Sequence, residues 1–373
     1  MDEFLVEELQ HNKGAKIKVI GCGGGGGNMI NHMIKMGLND LDLIAANTDA
    51  QAIANSLAKT KIQLGEKKTK GLGAGMLPEV GAESARESFE EIKASLSQSD
   101  IVFIASGFGG GTGTGATPII AQAAKEIGAL TVSVVTMPFN FEGKQRRKLA
   151  ESGLAELKKE SDSILVIQNE KLLSIIDKKA GIKEAFKLVD DILARAVRGM
   201  VSILMDNGDI NVDFADVRTI MSHRGLALMG TGSASGENAL EEALSNALES
   251  PLLDGMDIKG AKGVIMHFKT SSECSFFEIS AVANSVEELV DENAKIIWGT
   301  TIDDSMEDRV EVTIIATGFE EKSNEGKTKN TEAEMDIELR KNPFLSLKKV
   351  SGSYDEEIMA QIETPTFLRR QMD

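Results

Sequence analysis

Two glycine-rich turns constrain this sequence more than any other feature. Residues 23–27 follow the apolar run "IKVIG", residues 107–115, "GFGGGTGTG", follow "IVFIAS", and a helical pattern succeeds each turn. Glycine loses more conformational entropy on folding than other residues, so a chain keeps it where the backbone needs φ > 0 or approaches a ligand closely. Both turns therefore predict close backbone packing, ligand binding, or both.

Short β-branched runs alternate with helical patterns from residue 16 to about residue 180. The predicted strands are "IKVIG", "LDLIAANTD", "IVFIAS", "LTVSVVT" and "ILVIQN". This alternation is typical of βαβ units around a parallel sheet that is covered on both faces, and such sheets bind ligands beyond the carboxyl ends of their strands. We therefore predict an α/β, Rossmann-like domain over residues 16–180, preceded by an extension at 1–15.

A long helical pattern follows the predicted parallel sheet. Apolar residues recur every three or four positions from Ile182 to Leu204, which predicts one helix over residues 181–205, about 35 Å long. We interpret this helix as a rigid connector between domains. Residues 206–319 contain four predicted strands with few intervening helices, "GVIMHF", "FFEISAV", "AKIIWGTTI" and "RVEVTIIATGF", which indicates a second, smaller α+β domain.

The sequence changes character after Phe319. Residues 320–360 lose apolar periodicity and become polar and charged, which predicts a disordered, flexible linker that cannot bury a core. Residues 361–373 contain "TPTFLRR", a short apolar and basic peptide. Two apolar anchors and two basic side chains of this kind suit an acidic groove on a partner protein. They are Phe367, Leu368, Arg369 and Arg370.

Composition argues against several functional classes. The formal charge of −17 and the isoelectric point near 4.9 disfavour nucleic acid as a partner, because non-specific binding to it depends on lysine and arginine. The first residues lack a signal-peptide pattern, and no apolar run is long enough to insert into a membrane. Two cysteines far apart, Cys22 and Cys274, fit a reducing cytoplasm, and the four histidines show no metal-ligand spacing, so we predict no protein metal site.

The two glycine turns suit the binding of phosphate groups. Successive backbone N–H groups and a helix N-terminus together form an anion site without cationic side chains. Asn28 is predicted to cap the first of these helices. Neither turn has the Gly-Lys-Ser/Thr sequence of a P-loop. Tight strand-to-helix turns that bind nothing are the alternative.

A dinucleotide site is the main competing interpretation. Gly21, Gly23 and Gly26 satisfy G-x-G-x-x-G, and Asp49 ends the following strand, as in Rossmann-type NAD-dependent oxidoreductases. The second glycine turn favours a nucleoside triphosphate instead, because its larger charge benefits from several loops that donate N–H groups. Residues 107–115 contain no lysine or arginine, so Mg²⁺ is expected to neutralise the phosphates.

Motifs along most of the chain resemble the tubulin/FtsZ family of GTPases. They are "GGGTGTG", "NTDAQA", "GLGAGMLPEVG", "FNFEGKQRR", "NVDFADV" and "VTIIATGF", and the resemblance covers residues 17–319. It implies GTP and GDP as ligands, GTP hydrolysis, and head-to-tail assembly of copies of this chain into filaments. It also implies a cytoplasmic location in the cytokinetic ring at the bacterial division site. Membrane-tethering and regulatory division proteins are then the implied partners of the peptide at 361–373.

The resemblance places the phosphates of GTP between the two glycine turns. The loop at 71–75 is implied to sense the γ-phosphate, and Thr112 and Thr114 offer hydroxyl donors beside the backbone N–H groups. The implied contacts are Gly24, Gly25, Gly26, Gly27, Asn28, Gly75, Gly109, Gly110, Gly111, Thr112, Gly113, Thr114 and Gly115.

Four further residues are implied to hold the ribose and the base. Glu142 and Arg146 match ribose and phosphate contacts of the family, since a carboxylate suits two hydroxyls and arginine offers a fork of donors. Phe186 and Asp190 lie four residues apart on one helix face, where Phe186 would stack on the purine and Asp190 would accept from guanine N1–H and N2–H. From the residues alone, the alternatives to these roles are a surface salt bridge between Glu142 and Arg146, packing of Phe186 in the core, and a solvated Asp190 on the helix surface.

The predicted catalytic residues are Asp213, Asp216 and Asn211 in "NVDFADV". Spacing alone favours a helix start, with Asp213 as the cap and Asp216 in the first turn. The resemblance implies instead a loop that one subunit inserts into the nucleotide site of its neighbour. There the two acids would orient and polarise the attacking water, and Asn211 would touch the γ-phosphate region. A scaffold that binds nucleotide without hydrolysing it is the remaining alternative.

Overall fold

The computed structural model describes residues 15–38, 41–173, 176, 181–205, 212–222, 225–250, 253 and 258–319. Several sequence predictions fall outside these residues. They concern the extension up to residue 14, Asn211, the linker at 320–360, and the peptide at 361–373 with Phe367, Leu368, Arg369 and Arg370.

Strands and helices alternate through the first half of the chain, as the sequence predicts. The strands are β1 (Ile17–Cys22), β2 (Asp42–Asn47), β3 (Thr60–Gln63), β4 (Ile101–Gly107), β5 (Leu130–Met137), β6 (Ser163–Gln168), β7 (Gly225–Ser235), β8 (Gly263–Thr270), β9 (Lys295–Ile302) and β10 (Arg309–Thr317). The helices are α1 (Gly23–Lys35), α2 (Ala50–Ala54), α3 (Glu66–Thr69), α4 (Pro78–Glu87), α5 (Phe89–Leu96), α6 (Thr112–Glu126), α7 (Lys144–Glu160), α8 (Asn169–Leu172), α9 (Ile182–Met205), α10 (Phe214–Met221), α11 (Ala239–Leu248) and α12 (Phe276–Glu287).

The ten strands of the described part form one sheet, in the order β3-β2-β1-β4-β5-β6-β7-β10-β8-β9. Strands β1 to β6 are all parallel to their neighbours. Strand β7 joins the half of the sheet formed by β1 to β6 to the half formed by β10, β8 and β9. Its first three residues pair with β6 in parallel, and the rest pairs with β10 antiparallel. The predicted α/β class with a mostly parallel sheet is confirmed. The sequence analysis missed β7 and also β3, an edge strand in which Ile62 is the one fully buried residue. The prediction of "FFEISAV" as a strand is wrong, because these residues begin α12, whose buried residues Ile279, Val282 and Val286 recur at helical spacing.

The central strands are buried on both faces. Val19 and Phe103 lie in a hydrophobic cluster with residues of α1 and α9, whereas Ile20 and Ile104 lie in a second cluster with residues of α4 to α7. Successive side chains of a strand point to opposite faces, so each strand contributes to both clusters. Strands of this kind read as continuous apolar runs, which is why they are recognisable in the sequence.

Helix α9 is the long helix that the apolar periodicity predicts. Its 24 residues span about 36 Å, and Val189, Leu193 and Met200 are among its buried residues. Helices α11 and α12 pack with the opposite face of the strands β7, β10 and β8 in a third cluster. The described residues all belong to one compact unit that ends at Phe319, and the domain boundaries at 180 and 206 remain sequence predictions.

Candidate functional site

Two helices begin side by side at the carboxyl ends of neighbouring strands. Helix α1 begins at Gly23, directly after β1, and α6 begins at Thr112, shortly after β4. The two strands pair so that Cys22 lies opposite Ser106. Neither α1 nor α6 has a side-chain hydrogen bond at its N-cap. The first N–H groups of both helices, which carry partial positive charge, therefore converge on one place that suits an anion.

The prediction that Asn28 caps the first helix is wrong. Helix α1 begins at Gly23, and its N-cap is Cys22 in extended conformation, six residues before Asn28; Gly23 has φ 73°. Asn28 lies inside the helix and is exposed. The helix begins early because glycine at residue 23 tolerates the left-handed conformation that the sharp turn out of β1 requires.

The glycines of the two turns fall into two groups. A Cβ atom on Gly26 would lie 2.3 Å from the carbonyl oxygen of Ala105, and one on Gly113 would lie 2.4 Å from that of Gly107, so these glycines allow close packing of backbone. The same is true of Gly25, Gly111 and Gly115. In contrast, no described atom lies within 4 Å of the Cβ position of the following four predicted contacts: Gly24, Gly27, Gly75 and Gly110.

The space between the starts of α1 and α6 is called the cradle below. The loop at residues 71–77 forms a third side of this cradle. A Cβ on Gly111 would lie 2.8 Å from Cβ of Ala74, so the loop lies directly against the second glycine turn. The hydroxyl groups of Thr48 and Thr112 are 2.6 Å apart. The Thr114 hydroxyl is buried and accepts a hydrogen bond from the Gly109 N–H at 2.9 Å. Thr114 thus shapes the turn from within.

Glu142 and Arg146 lie at the edge of the cradle and contact each other. Arg146 Nη1 donates to Glu142 Oε2 at 2.7 Å, and Glu142 Oε1 accepts from the Phe139 N–H at 2.9 Å. The backbone of Arg146 borders the second turn, since a Cβ on Gly109 would lie 3.2 Å from the Arg146 carbonyl oxygen. The i, i+4 salt bridge expected from spacing is therefore present, and it holds Arg146 beside the cradle.

Phe186 is supported by aromatic rings but is not a core residue. Its ring meets that of buried Phe139 edge-on, with centroids 5.6 Å apart, and its side chain is 40% exposed. Phe139 in turn stacks on Phe141 at 5.0 Å. The arrangement leaves Phe186 half-exposed on a rigid support, as a stacking platform for a purine would require.

Asp190 lies one helical turn after Phe186 and is largely buried. Burial raises the pKa of its carboxyl to about 6, and nearby His32 lowers the pKa in part. His32 reaches from α1 to α9, where its Nε2 lies 3.0 Å from Asp191 Oδ1. A partly desolvated carboxylate on this face is a strong acceptor for paired N–H donors.

We expect Asp190→Asn to stabilise the nucleotide-free protein above pH 6. The pKa of Asp190 in the folded protein is raised from 3.8 to about 6, so its contribution to stability is present below pH 3.8 and is lost as pH rises through about 6. The unfolding midpoint of Asp190→Asn should exceed that of the parent by about 2 °C at about pH 7.5, and the gap should narrow as pH falls below about 6 and close below about pH 4. Glu184→Gln, an exposed change on the same helix, is the control. A lower midpoint for Asp190→Asn at every pH would contradict this cause.

Asn169 is a candidate that the sequence analysis missed. It begins α8 at the carboxyl end of β6 and is 5% exposed, and its Oδ1 has no hydrogen-bond partner among the described residues. Its neighbour Glu170 accepts a hydrogen bond from the Asn140 N–H, which places this turn beside the Phe139 region. A polar residue directly after a predicted strand of a parallel sheet is the signal that would have found it.

Asp213 and Asp216 lie at the start of α10, with the geometry of a helix cap. Asp213 Oδ1 accepts a hydrogen bond from the Ala215 N–H at 3.2 Å, and Asp216 stands in the first turn. Arg218, further along α10, donates to the carbonyl oxygen of Gly128 at 3.3 Å. Gly128 lies two residues before β5, so α10 lies at the amino ends of the parallel strands.

The two groups of predicted residues therefore lie at opposite ends of the parallel strands, which are called the two edges of the sheet below. The glycine turns follow the carboxyl ends of β1 and β4, and α10 lies beside the amino end of β5. Helix α6 runs from the glycine turn towards Gly128 and spans 15 residues, about 22 Å. One chain thus brings the phosphate-loop residues together with Glu142, Arg146, Phe186 and Asp190, but it does not bring Asp213 and Asp216 to them.

Among the residues described, no group of three or more His, Cys, Asp or Glu side chains is placed to hold a metal ion. The described helices include none that is both long enough and apolar enough to cross a membrane.

Comparisons with known proteins agree with this architecture. The family model "Tubulin/FtsZ family, GTPase domain" matches residues 16–177, and "FtsZ family, C-terminal domain" matches residues 225–320. The cell division protein FtsZ of Pseudomonas aeruginosa is 51% identical over 305 residues, which are 82% of this chain and 77% of that protein.

Solved structures give the same result. An empty FtsZ dimer of M. jannaschii shares 48% identity at a TM-score of 0.77, covering 82% of this chain and 88% of that one. CetZ2 of Haloferax volcanii, solved as a GTPγS-bound protofilament, shares 18% identity at a TM-score of 0.70 over 88% of this chain and 100% of that one, which indicates a common fold.

Proposed function

This chain belongs to the tubulin/FtsZ family and is a cell-division GTPase, and we propose that it hydrolyses GTP only where two copies meet head to tail. Each copy supplies a nucleotide cradle at one edge of its sheet and Asp213 and Asp216 at the other. Heterologous contacts that do not close on themselves build a filament. The observation that carries the proposal is the separation of these two groups within one chain.

The cradle suits the phosphates of GTP. Helix α1 and helix α6 direct uncapped N–H groups at the same place, and Gly24, Gly27 and Gly110 leave open space there. Mg²⁺ would be held mainly through the phosphate oxygens and would neutralise their charge. This arrangement explains how a triphosphate binds without lysine or arginine in the glycine turns.

The base would lie between the aromatic platform and buried polar groups. Phe186 presents a supported ring, and Asp190 one turn later would accept two hydrogen bonds from guanine, which adenine does not offer in that arrangement. The unpartnered Oδ1 of Asn169 gives the same region a third polar group. GTP is therefore preferred over ATP by hydrogen bonds that only guanine satisfies.

Asn169→Ala is expected to weaken GTP binding about tenfold without lowering stability. The Oδ1 atom has no hydrogen-bond partner among the described residues, so removing it breaks no hydrogen bond that they make. Ser163→Ala is a matched control, because the Ser163 hydroxyl is equally buried and unpartnered but begins β6, at the other edge of the sheet. Titration with a fluorescent GTP analogue measures both variants. Equal losses of affinity in Asn169→Ala and Ser163→Ala would mean that the loss does not come from a contact with the guanine base.

The reaction needs positioning and charge stabilisation more than covalent chemistry. Asp213 and Asp216 of one subunit would orient and polarise the water that attacks the γ-phosphate held by the next. Asn211, outside the described residues, is the third member that we propose for this group. Because hydrolysis removes the γ-phosphate at the contact itself, it would weaken the contact that enabled it.

Exposed apolar residues beside the cradle and in the far half of the sheet support assembly. Leu72 and Phe141 stand beside the cradle and are 86% and 69% exposed. Phe277 is 85% exposed next to Phe276, whose ring lies 6.3 Å from that of Trp298 on the edge strand β9. This second apolar group lies in the half of the sheet beyond β7, on the face that packs against α12. Apolar patches of this kind are typical of interaction sites.

The proposal predicts that turnover per subunit depends on protein concentration. At saturating GTP, phosphate release per subunit should rise with protein concentration and approach zero well below the dissociation constant of the contact. Sedimentation with GTP, with GDP and without nucleotide should show assembly with GTP. Turnover that stays constant down to the nanomolar range would show that one chain holds a complete active site.

We further propose that the filaments form the ring at the division site, in the cytoplasm. The similarity to a relative named as a cell division protein supports this placement. Residues 361–373 would connect the filament to membrane-tethering and regulatory division proteins through Phe367, Leu368, Arg369 and Arg370. The NAD-dependent oxidoreductase alternative is set aside, because the family model that matches the glycine turns is that of a GTPase domain.

A further inference from the structure

A basic cleft lies between α9 and the strands β7, β8 and β10. Its cavity of about 350 Å³ is lined by four cationic side chains, Arg195 and Arg198 from α9, Lys269 from β8 and Arg309 from β10. Glu311 is the one carboxylate among the lining residues that the structure gives. None of these residues belongs to the nucleotide cradle or to the group around Asp213.

The cations of the cleft are only partly neutralised. Arg195 pairs with Asp191, and Lys269 Nζ lies 2.9 Å from Asp303 Oδ2. Arg309 donates to the Ser233 hydroxyl at 3.4 Å, and Arg198 has no carboxylate partner in the described part of the chain. Counting Asp191, Asp303 and Glu311 against the four cations still leaves an excess of positive charge, in a protein whose formal charge is −17.

Buried His267 adds no charge to the cleft. Burial and the neighbouring Lys269 lower its pKa to about 4, and its Nε2 lies 2.8 Å from the Thr301 hydroxyl. The positive charge of the cleft therefore comes from lysine and arginine and does not change near neutral pH. An anionic occupant is the natural complement, because clustered cations raise each other's energy until an anion neutralises them.

We propose that the acidic segment preceding β1, residues 1–14 of this chain, docks into the basic cleft. Four carboxylates stand in its first eight residues, Asp2, Glu3, Glu7 and Glu8, and Lys13 is its one lysine or arginine. Apolar Phe4, Leu5 and Leu9 are interleaved with them. The linker after Phe319 is a weaker candidate, since lysines alternate with its acids in "EEKSNEGKTKN".

The segment joins the described chain near the cleft. Met36, which lines the cleft, follows α1, and α1 returns along β1 from its carboxyl end towards its amino end. Six residues after Met36, Asp42 pairs with Lys18 of β1. The seven to thirteen residues between Ala15 and the acids reach about 23 to 43 Å when extended. Covalent attachment also raises the local concentration of the segment to the millimolar range.

Docking would add a connection between α9 and the strands beyond β7. Arg195 and Arg198 belong to α9, whereas Lys269 and Arg309 belong to the strands beyond β7. Strand β7 pairs with β6 over three residues. A segment that bridges these cations would brace α9 against the far half of the sheet.

Disulfide trapping in the full-length chain tests this docking. Val6→Cys is combined with Ser202→Cys, since Ser202 lines the cleft, in a Cys274→Ser background; Cys22 is buried and stays. The matched control combines Val6→Cys with Ser245→Cys, an exposed residue of α11 on the opposite face of the strands. Under mild oxidation we expect the Ser202 pair to form an intramolecular disulfide about tenfold faster or more than the control pair.

Charge changes separate docking from accidental contact. About 0.5 M salt and Arg198→Glu should each slow trapping, and adding Glu7→Lys and Glu8→Lys to Arg198→Glu should restore it. Unfolding midpoints confirm that each variant is folded. Equal rates for the two cysteine pairs, or no effect of Arg198→Glu, would overturn the proposal. Disulfides found solely between molecules would also overturn it and assign the cleft to a second copy.

Discussion

Asp216→Ala is expected to lower GTP turnover about a hundredfold or more while GTP binding is unchanged, because a residue that positions water or a proton contributes this much. Asp216 lies in the first turn of α10, at the opposite edge of the sheet from the glycine turns. Loss of its carboxylate therefore leaves the cradle of the same subunit intact. Phosphate release at saturating GTP and the affinity for a GTP analogue are the two measurements.

Asp213 needs a control for its second role as a helix cap. Asp213→Ala is expected to lose turnover and also about 1 kcal/mol of stability, since the hydrogen bond to the Ala215 N–H disappears. Asp213→Asn keeps a good cap and should lose turnover at an unchanged unfolding midpoint. Full turnover in Asp213→Asn would mean that Asp213 only caps α10 and takes no part in hydrolysis.

Mixing two inactive variants tests whether the acids act between subunits. Asp216→Ala keeps its cradle, and Gly110→Glu keeps its acids but fills the open space at Gly110 with a carboxylate. Each protein alone should be nearly inactive. An equal mixture should recover about a quarter of the parental turnover, because one contact in four joins a good cradle to good acids. A mixture that stays inactive would refute hydrolysis across the contact.

Gly26→Ala is expected to lower the stability of the protein, whereas Gly24→Ala is expected to lower its affinity for GTP. A Cβ on Gly26 would lie 2.3 Å from the carbonyl oxygen of Ala105, whereas no described atom outside the neighbouring backbone of α1 lies within 4 Å of the Cβ position of Gly24. Gly26→Ala should lower the free energy of unfolding by about 3 kcal/mol or more. That loss corresponds to a midpoint about 10 °C lower.

Gly24→Ala should leave the unfolding midpoint unchanged or slightly raised, because alanine favours helix over glycine. GTP affinity should nevertheless fall about tenfold or more, since the methyl group enters the space proposed for phosphate. Thermal unfolding without nucleotide and titration with a GTP analogue separate the two effects. Normal GTP binding by Gly24→Ala would move the phosphates away from the first turn, whatever happens at Gly26.

The sequence predicted those elements whose cause is local. Strands β1, β4 and β5 are recognisable because burial on both faces leaves continuous apolar runs, and α9 because its apolar stripe repeats at helical spacing over 24 residues. The edge strand β3 was missed because its burial pattern leaves Ile62 as its one fully buried residue. The start of α1 was placed too late, since side-chain capping at Asn28 was expected where glycine itself forms the first turn.

The candidate site was predictable where it is continuous in sequence. The glycine turns and the family motifs name the residues of the cradle without reference to other parts of the chain. Asn169 was not found, because its significance lies in a buried oxygen that no described residue satisfies. The basic cleft has no motif at all, since Arg198 and Arg309 stand more than a hundred residues apart and meet through the pairing of β7 with β10.

Sequence alone determined which groups we propose that this protein uses: glycine turns for phosphate, an aromatic and a carboxylate at helical spacing for the base, and two acids at a helix start. Tertiary structure decided where they stand with respect to each other. Parallel strands put every strand-to-helix turn at one edge of the sheet and every helix-to-strand turn at the other. The acids of α10 lie at that second edge, so the cradle and the acids are far apart within one chain, and strand direction decides at which end of the parallel strands each group lies.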